Sequence, residues 1–273
     1  MTASAADPTT TEPASNWRVA PSLPVAIAVS IAYVVVFIGL SSTSGIPYAE
    51  WFDSGANAFR TAVIPLIGGS LVLIAFLLWA RWDFVFKDPV RLPMSRVLWV
   101  PVVIFLLGIV AHFAVADWSE LSTGLLLAIL ASGVMVGFAE ETLFRGIILR
   151  GLRTNLRPEA WAMLISSLLF GVFHLTNIIN GSPVAAVLNQ VLQASALGAV
   201  LYVFRRARGL LVVAMVVHGL WDISLFVPAP TGTLAIVGLA VQVVLFISAV
   251  VAVVVIVRRD RAIAVTRTGI QPL

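Results

Sequence analysis

Long apolar runs, separated by short breaks bearing Arg, Pro or polar clusters, recur along most of the chain. Their lengths lie near the ~20 residues that cross a bilayer as a helix. They predict eight spanning helices, at 25–43, 61–80, 97–116, 122–144, 160–176, 184–204, 210–227 and 232–257. The expected fold class is all-α: a polytopic membrane helix bundle over 23–257, preceded by a disordered tail at 1–22 and followed by a basic tail at 258–273. No solenoid repeat and no inverted pair of broken helices stands out.

Composition supports this reading. The 273 residues are 60% hydrophobic and 11% charged, against about 45–50% apolar and about 25% charged in soluble domains. The absence of cysteine excludes disulfides, thiolate metal sites and cysteine nucleophiles, so any metal must use His, Asp or Glu. The net charge of +4 is absorbed by topology. Sixteen of the seventeen Lys and Arg fall in the two tails and in alternate connections, and only Arg60 falls on the other side. The positive-inside rule then puts both termini in the cytoplasm and makes the number of spans even. The basic connections are read as topology plus attraction to anionic lipid, not as a nucleic-acid surface. The first 22 residues lack the basic n-region and the cleavage site of a signal peptide, and none is expected.

An ionisable side chain at bilayer depth costs at least ~2.5–3.5 kcal/mol on insertion scales, so each one is a functional candidate. Here they are His112, Glu140, Glu141, Arg145, His174, His218 and Asp222, with Asn189, Gln190 and Gln193 as neutral support. Glu141 and Arg145 are four apart on one helix face and can neutralise each other. Glu140 points about 100° away with no basic partner on its own helix, which makes it the candidate general base. His218 and Asp222 are also four apart, so Asp222 or a water between them is expected to fix the imidazole tautomer, and Phe170 is expected to stack on the His174 face. His112 stands alone and reads as a satisfied core histidine. A carboxylate and two histidines on three spans are the minimum set for holding a water or a metal.

Two mechanisms remain open at this point. In one, Glu140 and a histidine activate water against a peptide carbonyl. In the other, zinc held by Glu140, His174 and His218 supplies the nucleophile. The zinc-protease helix His-Glu-x-x-His is absent.

The ordered set Glu140-Glu141-x-x-x-Arg145, Phe170-x-x-x-His174 and His218-x-x-x-Asp222 resembles the motifs of the CAAX protease and bacteriocin-processing family of intramembrane endopeptidases. The resemblance covers about 120–227. It implies that Glu140 activates water, that His174 and His218 complete the centre, that Asp222 fills an Asn or Asp position for an oxyanion or orienting group, and that Glu141 and Arg145 complete the first motif. An ionised Asp222 accepts but cannot donate, so it must be protonated or serve His218. The resemblance leaves zinc open as the sole candidate cofactor. It implies a membrane-associated protein or peptide substrate, and a lipid-continuous cavity opening toward the cytoplasmic side. The compact length points to a prokaryotic plasma membrane. Two other functions are compatible with the same residues: a proton-coupled transporter, and a non-catalytic scaffold that binds another membrane protein.

Overall fold

The computed structural model describes residues 16–88, 91–156 and 158–268. Most of the N-terminal tail, Pro89, Val90, Arg157 and the last five residues of the C-terminal tail lie outside these. The described residues form eight principal helices and no strand: α1 Leu23–Ser42, α2 Gly55–Ala80, α3 Arg96–Ala114, α4 Thr123–Arg153, α5 Glu159–Ile178, α6 Val184–Arg208, α7 Leu211–Phe226 and α8 Thr231–Thr268. Serine caps start three of them: the side chains of Ser22, Ser95 and Ser122 accept from the backbone N–H of Val25, Leu98 and Leu125, satisfying donors that a helix start leaves free.

Seven of these helices are long and apolar enough to cross a membrane. The protein is therefore an integral membrane protein. α7 corrects the expectation that all eight have that length. Its 16 residues reach about 24 Å, because Leu210 and Val227 at its ends are extended. Two other boundaries also differ. α4 runs on through Arg153, so Arg145, Arg150 and Arg153 belong to the helix and not to a loop, and α8 continues as helix to Thr268. The outward faces are apolar, as at Val35 (63% exposed), Leu78 (75%) and Val134 (68%), the inverse of a soluble bundle.

α4 is the central helix: every residue from 139 to 149 is buried. It packs most closely on α7, while α5 packs on α6, α1 on α2, and α8 on α3 and α6. The α4–α7 approach depends on missing side chains. A Cβ on Gly137 would strike Met215 O, one on Gly133 would lie 2.8 Å from Gly219 O, and one on Gly219 would lie 2.6 Å from Gly133 O. Small residues let spanning helices meet backbone to backbone, and this contact brings α7 side chains against Glu140 and Glu141.

The arginine-rich end is latched as well. Arg153 and Arg206 pair with Asp88 at 2.8 and 3.1 Å, and both also meet Glu159. Tyr202 donates its hydroxyl to Glu159, and Arg205 is fully buried with Nη2 on Val85 O at 3.1 Å. Gly209, at φ 68°, turns α6 into α7 where a Cβ would press on Asp88 O. Several arginines counted above as topology signals are thus buried structural groups.

Candidate active site

The site starts where the α-helical ladder of α4 widens into a π segment, Thr142–Ile148, directly after Glu141. Such widenings recur at functional sites. Glu141 Oε1 accepts from Arg145 Nη1 at 2.7 Å and from His218 Nδ1 at 2.9 Å, with both carboxylate and guanidinium fully buried. Room for the guanidinium comes from Gly198 on α6, where a Cβ would sit 3.0 Å from Arg145 Nη2. Arg145 also lies over the Phe170 ring, 4.3 Å from its centroid.

Here the structure corrects the sequence reading of the imidazole. Glu141, not Asp222, holds His218 Nδ1. A carboxylate beside Nδ1 makes that nitrogen the N–H donor, which in the neutral imidazole leaves Nε2 with its lone pair. Nε2 lies 3.8 Å from Glu140 Oε2 and 3.7 Å from Asp222 Oδ2. Both distances are too long for a direct hydrogen bond, and they suit one bridging water.

His174 caps the α-helical part of α5, and its Nδ1 lies 3.0 Å from Phe170 O. A carbonyl only accepts, so Nδ1 carries the proton and Nε2 is free. Phe170 does not stack on His174. Its ring meets both imidazoles edge-on, at 5.3 Å and 84° for His174 and 5.4 Å and 90° for His218. A single phenylalanine thereby fixes two imidazoles and one guanidinium.

Glu140, His174, His218 and Asp222 line one cavity of about 200 Å³. Glu141 and Arg145 stand behind it. Gln190 and Gln193 also line it, whereas Asn189 accepts from Gln242 on an exposed surface. His112 is outside, buried edge-on against Trp221 at 5.3 Å with Ser224 Oγ at 3.4 Å. Asn177 and Trp221, which carry no ionisable group to mark them in the sequence, also line the cavity, and so do Tyr48, Trp51 and Phe52 from the α1–α2 connection. No charge or spacing marked those three; their aromatic character in a short connection was the only signal.

No three His, Asp or Glu side chains among the described residues gather so as to hold a metal ion. The Nδ1 atoms of both histidines are engaged by Glu141 and Phe170 O, which leaves each Nε2 as the ring atom free to meet a water or a metal. The three residues of the expected zinc set, Glu140, His174 and His218, line the same cavity without being gathered into one ligand set.

Residues 122–224 match the family model for type II CAAX prenyl endopeptidase Rce1-like. The match spans all three motifs, so the resemblance read from them holds over that segment. No curated protein and no solved structure matches the chain.

Proposed function

We propose, from the match of residues 122–224 to the Rce1-like type II CAAX prenyl endopeptidase model, that this protein is an intramembrane endopeptidase in which Glu140 and His218 activate a water against a peptide carbonyl. The observation that carries this reading is the placement of His218, with Nδ1 at 2.9 Å from Glu141 and Nε2 at 3.8 Å from Glu140 across the cavity. A water between them donates one hydrogen to Glu140 and the other to His218 Nε2. Glu140 takes the first proton as the water oxygen attacks, then delivers it to the leaving amine. Glu141, itself held by Arg145, orients His218 and does not exchange protons with substrate. His174 Nε2 is free to accept a hydrogen bond from the leaving amine.

The substrate class is a membrane-associated protein or peptide, cut where it enters the bilayer. A prenylated C-terminus is one form of it, and an unmodified spanning segment is another. In the test, full-length protein in liposomes is given an internally quenched farnesylated CAAX peptide and an internally quenched unmodified transmembrane peptide. Wild type cleaves at least one, and Glu140→Gln keeps the melting temperature while losing ~10²–10⁴-fold in rate. Equal cleavage by the variant, or proton flux without product, removes the reading in favour of a scaffold or a transporter.

The family resemblance puts the opening on the cytoplasmic side of a prokaryotic plasma membrane. The wall formed by Tyr48, Trp51 and Phe52 belongs instead to the Lys- and Arg-poor end of the bundle, which the positive-inside rule assigns to the other side. We place the mouth with the charge rule. The cysteine-free chain gives a clean test: Glu50→Cys is labelled by an impermeant maleimide from outside intact cells, and labelling only after lysis reverses the assignment.

A further inference from the structure

The groups that face the reaction in this site accept hydrogen bonds more readily than they donate them. Glu140 and Asp222 are carboxylates, and with Nδ1 protonated, His174 and neutral His218 present only a lone pair at Nε2. Attack on a peptide carbonyl creates an oxyanion, which needs a donor aimed at it. Asp222, standing where the family allows Asn, cannot supply one while ionised.

A chain of donors does reach the cavity. Asn177 Nδ2 donates to Gln190 Oε1 at 2.9 Å, and Gln190 Nε2 donates to the Tyr48 hydroxyl oxygen at 3.2 Å. Each amide passes its donor forward, so the chain ends on the Tyr48 proton, and hydrogen bonds in series polarise one another. Tyr48, Asn177 and Gln190 line the same cavity as Glu140 and Asp222. The loop is fixed there: Tyr48 N–H donates to Asn180 O at 2.8 Å, and the Tyr48 ring sits 4.8 Å from that of Trp51. Burial, with smaller contributions from Asp222 and Glu140, raises the Tyr48 hydroxyl above its ordinary range, so it keeps its proton near neutral pH.

We propose that the Tyr48 hydroxyl, at the end of the Asn177–Gln190 chain, is the oxyanion donor of this site and takes the part that a carboxamide at position 222 would play. This rests on the endopeptidase reading above and adds a catalytic residue from outside the matched segment.

The test measures kcat and KM of full-length Tyr48→Phe in liposomes on whichever quenched peptide the wild type cleaves. Phenylalanine keeps the ring against Trp51 and removes only the hydroxyl. The expected result is a fall in kcat of roughly 10²–10³-fold with KM within about 2-fold of wild type, since the lost bond forms only in the transition state. Adding Asp222→Asn to Tyr48→Phe restores part of kcat by returning an N–H donor. An unchanged kcat, or a rise in KM alone, overturns the assignment. A wild type that cleaves neither peptide, or a Glu140→Gln variant as active as wild type, overturns instead the protease reading beneath it.

Discussion

Two buried charge clusters lie in this bundle, and they differ in how they close. At the arginine-rich end, Asp88 and Glu159 meet Arg153, Arg206 and Tyr202, and Asp88 reaches both arginines within hydrogen-bond distance. In the interior, Glu141 is bound tightly by Arg145 and His218, yet Glu140 and Asp222 stay 3.8 and 3.7 Å from His218 Nε2 around a cavity. A cluster that only holds helices together has reason to close every pair. One that must accept a water keeps a gap and lines it with groups able to take a proton. The site therefore has two layers: a closed Glu141–Arg145 support and an open Glu140–His218 front.

The largest effect expected on this comparison is from the front. Glu140→Gln should abolish cleavage by ~10²–10⁴-fold and leave the melting temperature near wild type, whereas Arg145→Ala should do the reverse in emphasis. Removing the guanidinium leaves the buried Glu141 carboxylate with the His218 N–H alone, a loss of about 3–5 kcal/mol, seen as a lower detergent-denaturation midpoint. Gly137→Ala is next. Its methyl group meets Met215 O, so α7 must shift at a cost of about 1–3 kcal/mol. Cleavage should fall with it, because the α4–α7 approach sets the His218–Glu140 gap.

The peripheral cluster should respond in stability alone. Asp88→Asn is expected to cost about 1–3 kcal/mol with kcat unchanged. Burial disfavours the Asp88 carboxylate, but Arg153 and Arg206 outweigh it and hold the group below the usual aspartate range. Its stabilisation is therefore complete above the unfolded value near ~3.9 and lost as pH falls through the lower folded value. Thermal unfolding should show the wild-type advantage over Asp88→Asn through pH 5 and its decline below about pH 4. The smallest effect is at His112, where His112→Phe should leave cleavage within about 2-fold, since the residue is outside the cavity.

The sequence made the helices and the motif residues legible because bilayer length and isolated charges leave direct signatures. Glu140, His174, His218 and Asp222 could be singled out as rare ionisable groups in apolar helices, and they do share one cavity. Pairing between helices was less legible. Spacing within α7 favoured Asp222 as the partner of His218, but the glycine contact of Gly133 and Gly137 with Gly219 delivers Glu141 from α4. Local periodicity cannot register such an approach. Nor could it register Tyr48, which acts from a connection, or the burial of Arg205, which looked like a loop cation until its Nη2 was found on Val85 O.

The central claim, that Glu140 and His218 activate water without a metal ligand set, is tested most directly by metal analysis and cleavage on the same purified sample before and after chelation. The account predicts substoichiometric zinc, cleavage that survives chelation, and its loss in Glu140→Gln. One zinc per chain, lost in both His174→Ala and His218→Ala, with cleavage abolished by chelation, would contradict it.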